Sequence, residues 1–127
     1  TKCRTIRSAE LIAYFMAIFG VVATHSSTNT IIFTGPFVRT LMDDYKDEAD
    51  HSRSANILDA TACGTNGLIP HGNPALVITG VATGVAGVPA TFSFLDFLPY
   101  NFHCWGLLII FFLSTMTGIG RKRRKTA

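Results

Sequence analysis

The chain has 127 residues, of which 48% are apolar and only 15% are charged, and its formal net charge is +3. Soluble domains usually have about 25% charged residues, so this composition and a mean hydropathy of +0.34 argue against a soluble enzyme, a disordered chain or a coiled coil. Residues 11–38, 60–95 and 97–120 contain no Asp, Glu, Lys or Arg. Because so few charges cannot cover a water-facing surface, we expect a membrane protein.

The length of 127 residues allows one domain at most. A secondary transporter is usually built from two repeats of several helices each, which is more than this chain supplies. The chain also opens at Thr1, and its first methionine is Met16 within an apolar run. We therefore expect a fragment of a larger protein or a processed chain.

Residues 11–38 form the first predicted element. They are more than the roughly 20 residues that one straight membrane span needs, and seven consecutive polar residues, 24–30, interrupt them. Lys and Arg next to spans favour the cytoplasmic side, and both ends of the chain are basic, so the number of crossings should be even. The crossings predicted below at about 68–88 and 101–119 already make two, so residues 11–38 should enter and leave the membrane on the same side. The pattern predicts a re-entrant hairpin over residues 11–38, with two arms around a polar turn.

Residues 39–59 hold six acids and three bases and are predicted to be an aqueous segment. The following residues, 60–88, contain a glycine- and proline-rich part and then an apolar part, which predicts a broken transmembrane helix with a break near residues 64–74 and a crossing at about 68–88. A last span is predicted at 101–119. The basic tail at 121–127 would then lie in the cytoplasm.

Two polar breaks at membrane depth are the predicted functional elements, because freed backbone groups and short polar side chains at broken helices hold ions in transporters. The first break is residues 24–30, with Thr28 and Asn29. The second is residues 61–73, with Thr65, Asn66, His71 and Asn73. Hard cations prefer such oxygen ligands, so sodium or a proton suits these breaks better than a transition metal. A solvated loop and an ordinary Gly/Pro turn are the alternative interpretations.

Isolated ionisable residues near the predicted spans add to this prediction. Asp59 precedes the second break and could bind a proton or sodium there, or flank a helix in water. Asp96 stands alone among aromatic residues, where it is either functional or a solvated interfacial acid. His25 and His71 lie in the two breaks, where imidazoles relay protons or act as neutral hydrogen-bonding groups.

No motif for ordinary enzyme chemistry is present. The sequence has no GxxxxGK[ST], GxGxxG, HExxH or GxSxG, so we expect no enzymatic activity and no cofactor. The three cysteines lack disulfide or zinc-site spacing and are predicted to be free thiols. Because the basic tail directly follows an apolar span, we interpret it as a topology anchor or an anionic-lipid contact and not as a nucleic-acid site.

The order of these elements resembles the C-terminal part of the NhaC-type sodium/proton antiporters, within the larger ion-transporter superfamily. The resemblance covers about residues 10–118. It rests on Ser52-Arg53, on Asp59 followed by Thr65, on "LIP" at 68–70 and on "LPY" at 98–100. It implies an all-helical secondary transporter with re-entrant hairpins and a midplane ion site, of which this chain supplies the second-repeat half.

The leading hypothesis is thus ion-coupled transport, with sodium/proton antiport as its form and with Asn29, Asp59, Thr65 and Asn66 lining a cation site. Its partners would be the lipid bilayer of the cell membrane, the other half of the transporter, sodium, protons and, as in some relatives, a small organic substrate. A second hypothesis is a small, self-contained membrane protein that binds partner helices through a glycine-rich face and transports nothing. A third is a soluble, apolar-rich binding domain.

Overall fold

The structure, a computed structural model, describes residues 5–45, 51–87 and 91–121. These residues form helices and no strand, which confirms the all-helical prediction. The helices are α1 (Ile6–Thr24), α2 (Ser27–Asp43), α3 (His51–Leu68), α4 (Asn73–Ala82), α5 (Phe94–Phe97), a 3₁₀ helix (Leu98–Tyr100) and α6 (Phe102–Thr117).

Helices α1 and α2 form a hairpin whose turn consists of two residues. His25 adopts the left-handed conformation, with φ of 55°, and its N–H donates to the carbonyl of Val21. His25 is thus the C-cap of α1. Ser26 then starts α2, since its side chain accepts a hydrogen bond from the N–H of Asn29 at 3.4 Å. A helical hairpin over residues 11–38 was predicted, and the observed arms extend beyond that range at both ends.

Helix α3 is central, because it packs against α1, α2, α4 and α6. Alanines at every fourth position of α1, from Ala9 to Ala17, lie on one face of that helix and are fully buried against α2 and α3. Such small side chains let helix backbones approach closely. The segment predicted to be aqueous, 39–59, is largely helical: residues 39–43 complete α2 and residues 51–59 begin α3, while 46–50 lie outside the described residues.

The predicted helix break is present between α3 and α4, although its bounds are narrower than expected. Helix α3 continues through Gly64 and Gly67 to Leu68, and α4 begins at Asn73. Both glycines face α6, where a Cβ at either position would meet Cys104. They therefore allow α3 and α6 to pack closely, and they do not interrupt α3. Helix α4 ends at Ala82 and has ten residues, which is shorter than the crossing predicted at 68–88.

Helices α5 and α6 are joined through the 3₁₀ helix with a bend of 54°. Ser93 and Asp96 form a capping box at the start of α5, in which the N–H of Ser93 donates to the Asp96 carboxylate at 2.9 Å. Asp96 therefore caps a helix. Helix α6 agrees with the span predicted at 101–119, and Gly118, with φ of 75°, ends it in the left-handed conformation.

Among the described residues, α1 is long and apolar enough to cross a membrane, and the bent pair of α5 with its 3₁₀ turn and α6 is a second candidate if it counts as one span. Core helices of soluble proteins share these properties, but only 39% of the apolar window of α1 is buried inside the fold. Large apolar side chains such as Phe19, Phe33, Phe37 and Ile110 are more than 60% exposed. The outer surface of these helices therefore includes many large apolar side chains.

Candidate functional site

The structure separates the residues of the predicted cation site into buried and exposed groups. Thr65 and Asn66 are buried next to each other near the end of α3. Asn29 is exposed at the start of α2, and Asp59 is exposed on α3. The other three residues named for this site, Thr28, His71 and Asn73, are also exposed.

Asp59 lies two helical turns from the buried pair. Seven residues separate it from Asn66, which corresponds to about 10 Å along a helix axis. Its carboxylate accepts a hydrogen bond from the Cys63 thiol, with Sγ 3.7 Å from Oδ1. Asp59 also lines a groove of about 640 Å³ between α2 and α3, together with Arg39. Asp59 therefore lines the groove between α2 and α3, and it is not close enough to Asn66 to share a ligand with it.

Three buried oxygen atoms on α3 have no hydrogen-bond partner. They are Oγ1 of Thr61, Oγ1 of Thr65 and Oδ1 of Asn66, and the three residues are 0%, 6% and 9% exposed. Thr61 and Thr65 are four residues apart and so are neighbours on one face of the helix, while Asn66 follows directly. Buried polar atoms nearly always have a partner, so three unpartnered oxygens within six residues make this part of α3 a candidate ligand site.

Most of the other described threonines in helices or at their ends do not behave in this way. Eight of them donate to a backbone carbonyl three or four residues earlier: Thr24, Thr30, Thr34, Thr40, Thr79, Thr83, Thr115 and Thr117. That local bond satisfies a threonine hydroxyl in any helix. The hydroxyls of Thr61 and Thr65 do not make it, and their oxygens stay available for a ligand.

The helix break closes over Asn66. A Cβ at Gly72 would lie 2.5 Å from the backbone oxygen of Asn66 and 3.0 Å from its Oδ1, so the turn fits only because Gly72 has no side chain. On the other side of the α3 terminus, Nδ2 of Asn101 donates to the carbonyl of Gly67 at 2.9 Å. The orphaned oxygens thus lie beside a broken helix whose end is held by α6.

A second polar cluster, which we call the charged cluster, consists of Glu10, Arg53 and Arg121. Glu10 on α1 is fully buried, and both arginines hold its carboxylate in bidentate fashion. Arg53 donates from Nε at 2.7 Å and from Nη2 at 3.3 Å. Arg121 donates from Nε at 3.2 Å and from Nη2 at 2.7 Å. Every described donor here is charged, which makes these strong hydrogen bonds.

The charged cluster joins three parts of the chain at one end of the bundle. Arg53 also donates to the carbonyls of Ser114 and Ile119, each at 3.0 Å. A Cβ at Gly120 would lie 3.3 Å from Nη1 of Arg53, so the turn after α6 passes close to the guanidinium. The start of α1, the start of α3 and the turn after α6 are therefore fixed to one another.

The charged cluster was not predicted from the sequence. Glu10 lies one residue before the charge-free segment 11–38, and an isolated acid at the edge of an apolar helix was the signal that could have marked it. Arg53 was noted only within the resemblance, and Arg121 only as part of the basic tail. Glu10 is separated from them by 43 and 111 residues, so the sequence alone does not show that they meet.

At the opposite end of the bundle, His25 and His71 bring the two polar breaks together. Their ring centroids are 6.2 Å apart and their planes are inclined by 63°. Within the described part of the chain, no group of three or more His, Cys, Asp or Glu side chains could hold a metal ion. Cys63 and Cys104 are free thiols, as predicted, and Cys3 lies outside the described residues.

Comparisons of the chain with protein-family models, with curated proteins and with solved structures give no match. The resemblance to sodium/proton antiporters therefore stays a prediction. What the chain does has to be inferred from its own geometry.

Proposed function

We propose that this chain is a membrane-embedded part of an ion-coupled secondary transporter, and that it exchanges sodium for protons by alternating access. The single observation that carries the proposal is the set of unpartnered buried oxygens at Thr61, Thr65 and Asn66. Thr65 and Asn66 were predicted from the sequence, and Thr61 is added here from its burial.

Sodium fits these groups because it is a hard cation that takes oxygen ligands. Hydroxyl and amide oxygens carry lone pairs without a formal charge, and a buried acceptor without a donor costs about 1–3 kcal/mol. A bound cation would remove that cost at three atoms at once. The neighbouring break allows the α3 terminus to change shape, as alternating access requires of a transporter site.

Asp59 is proposed as the proton-coupling group. It is the one acid in the sequence of α3, and its position in the groove between α2 and α3 gives it access to protons. Thr28 and Asn29 lie in the first turn of α2, directly after the two-residue turn of the hairpin. Asn73 begins α4, directly after the break that contains His71. On this proposal the two turns move during transport, and these four residues lie in them or next to them.

The charged cluster supports a membrane orientation. It holds Arg121, the first residue of the basic tail, against Glu10 near the start of α1, the helix that also carries Arg7. The start of α1 and the turn after α6 therefore share one side of the bundle, which is the arrangement that an even number of crossings requires. We propose a multi-pass protein of the cell membrane with its C-terminal tail in the cytoplasm.

The experiment is proton flux in liposomes that contain the purified full-length protein, started by a sodium gradient. Thr65→Val keeps the shape of the side chain and removes its oxygen. We expect the sodium-driven flux to fall at least tenfold, while the free energy of unfolding stays equal or rises because a buried unpartnered hydroxyl is lost. Thr79→Val is the matched control, since Thr79 bonds to its own helix at Ala75. Equal flux in both variants would contradict the proposal.

Asp59→Asn tests the coupling step separately. We expect it to abolish sodium-dependent proton exchange, because an amide side chain does not bind and release a proton as a carboxylate does. Sodium binding should persist. The measurement is proton flux together with sodium binding in the same preparation. Unchanged exchange would remove Asp59 from the mechanism and leave the sodium site at Thr65 in place.

A second candidate function, binding of partner helices without transport, is favoured by the open surface of α4 at Gly80. A Cβ at Gly80 would meet no atom within 4 Å, so a partner helix could approach closely there, whereas Gly84 lies in the turn after α4. This function predicts that Gly80→Leu prevents co-purification of a partner protein. It also predicts that Thr65→Val changes no measurable activity.

A further inference from the structure

We infer that His25 and His71 form a binding site for a divalent transition-metal ion, such as zinc, which bridges the two polar turns. The inference does not rest on the proposed sodium site, since imidazole nitrogens suit zinc, nickel and copper and do not suit sodium. It rests on the distance between the two rings, on their freedom to move and on the conformation of His25.

The distance between the rings fits one shared ion. With a zinc–nitrogen bond of about 2.0 Å, a ring centroid lies roughly 3.2 Å from the metal, so two rings on one ion have centroids about 5–6.4 Å apart. The observed separation of 6.2 Å falls within that range. An approach of about 1 Å would bring it to the tetrahedral arrangement that zinc prefers.

Both rings are free to make this approach. His25 and His71 are exposed, and within the described chain neither side chain has a hydrogen bond or an ion pair. Among the described aromatic rings, each of the two is paired with the other. Rotation about the side-chain bonds can therefore turn one nitrogen of each ring toward a common point, and water can fill the remaining metal positions.

The backbone conformation of His25 sets the position of its ring. Among the described residues it is the only one other than glycine with a positive φ, at 55°. Glycine or asparagine usually occupies the left-handed position after a helix, and a histidine there places an imidazole directly at the turn. The turn between α3 and α4 delivers His71 to the same point.

A bound ion would connect the α1–α2 turn to the break between α3 and α4. These are the two polar breaks of the chain, and an ion across them would oppose their relative movement. We therefore expect zinc to stabilise the folded protein by binding it preferentially.

The test is zinc binding to the purified full-length protein in detergent, measured by isothermal titration calorimetry. His25→Asn keeps a residue that tolerates the left-handed conformation, and His71→Asn changes the other ligand. We expect each variant to lower the zinc affinity at least about tenfold. His103→Asn, which alters an exposed histidine on α6, and Cys63→Ser are the controls, and we expect neither to change the affinity.

Electron paramagnetic resonance of substoichiometric Cu²⁺ provides a readout that a folding defect would not imitate. The wild-type protein should show hyperfine coupling to two imidazole nitrogens, and each single variant should show coupling to one. Wild-type zinc affinity equal to that of the His25→Asn/His71→Asn double variant would overturn the inference. So would a loss of affinity in His103→Asn or Cys63→Ser.

Discussion

Glu10→Gln is expected to lower the free energy of unfolding by about 3–5 kcal/mol, the usual cost of removing one partner from a buried ion pair. The change removes the charge that Arg53 and Arg121 share while both guanidinium groups stay in place, 12% and 17% exposed. Each would then lack its counter-charge in the fold. The measurement is chemical unfolding in detergent, followed by circular dichroism.

Two further variants show whether the loss comes from the charged cluster. Arg7→Gln changes an exposed residue on the same helix, and we expect an effect within about 0.5 kcal/mol. Arg121→Gln should cost less than Glu10→Gln, because Arg53 still neutralises the carboxylate. A loss below about 1 kcal/mol for Glu10→Gln would show that the cluster does not hold the helix ends together.

Gly72→Ala is expected to displace the turn that covers Asn66. The backbone of Gly72, with φ of −70° and ψ of 150°, suits any L-residue, so the cost is purely steric. The added Cβ would lie 2.5 Å from the backbone oxygen of Asn66, and a helix terminus cannot yield as a flexible side chain can. We expect a loss of about 1–3 kcal/mol of stability and a fall in sodium-driven flux.

Gly80→Ala is the control for this variant, since it adds the same methyl group where no atom lies within 4 Å. Alanine in a helix interior is favoured over glycine by about 0.5–1 kcal/mol, so this control should be neutral or stabilising. If Gly72→Ala behaved as Gly80→Ala does, the turn would not be packed on Asn66. The location of the proposed ion site beside the break would then be wrong.

The sequence was sufficient for features with a local cause. The positions of the first hairpin and of α6 follow from apolar runs, and the break before Asn73 follows from Pro70 and Gly72. The bounds of the break were harder to predict, because Gly64 and Gly67 resemble helix breakers in sequence. In the structure they lie within α3 and allow close contact with α6, which is a property of packing between distant segments.

The sequence predicted two of the three residues of the candidate site. Thr65 and Asn66 were named from their polar oxygens near the break. Thr61 was not named, because one threonine in a helix differs from another only in whether its hydroxyl bonds to the preceding turn. The charged cluster requires contacts between Glu10 and residues more than 40 positions away. A single sequence does not show which distant residues are in contact.

Equilibrium binding of radioactive sodium to the purified full-length protein tests the central claim most directly. We predict saturable binding in the wild-type protein and in Thr79→Val, and its loss in Thr61→Val/Thr65→Val, with the folded state intact in all three proteins. If the double variant binds sodium as the wild type does, the orphaned oxygens of α3 are not ion ligands. The proposal of sodium transport through this site would then be contradicted.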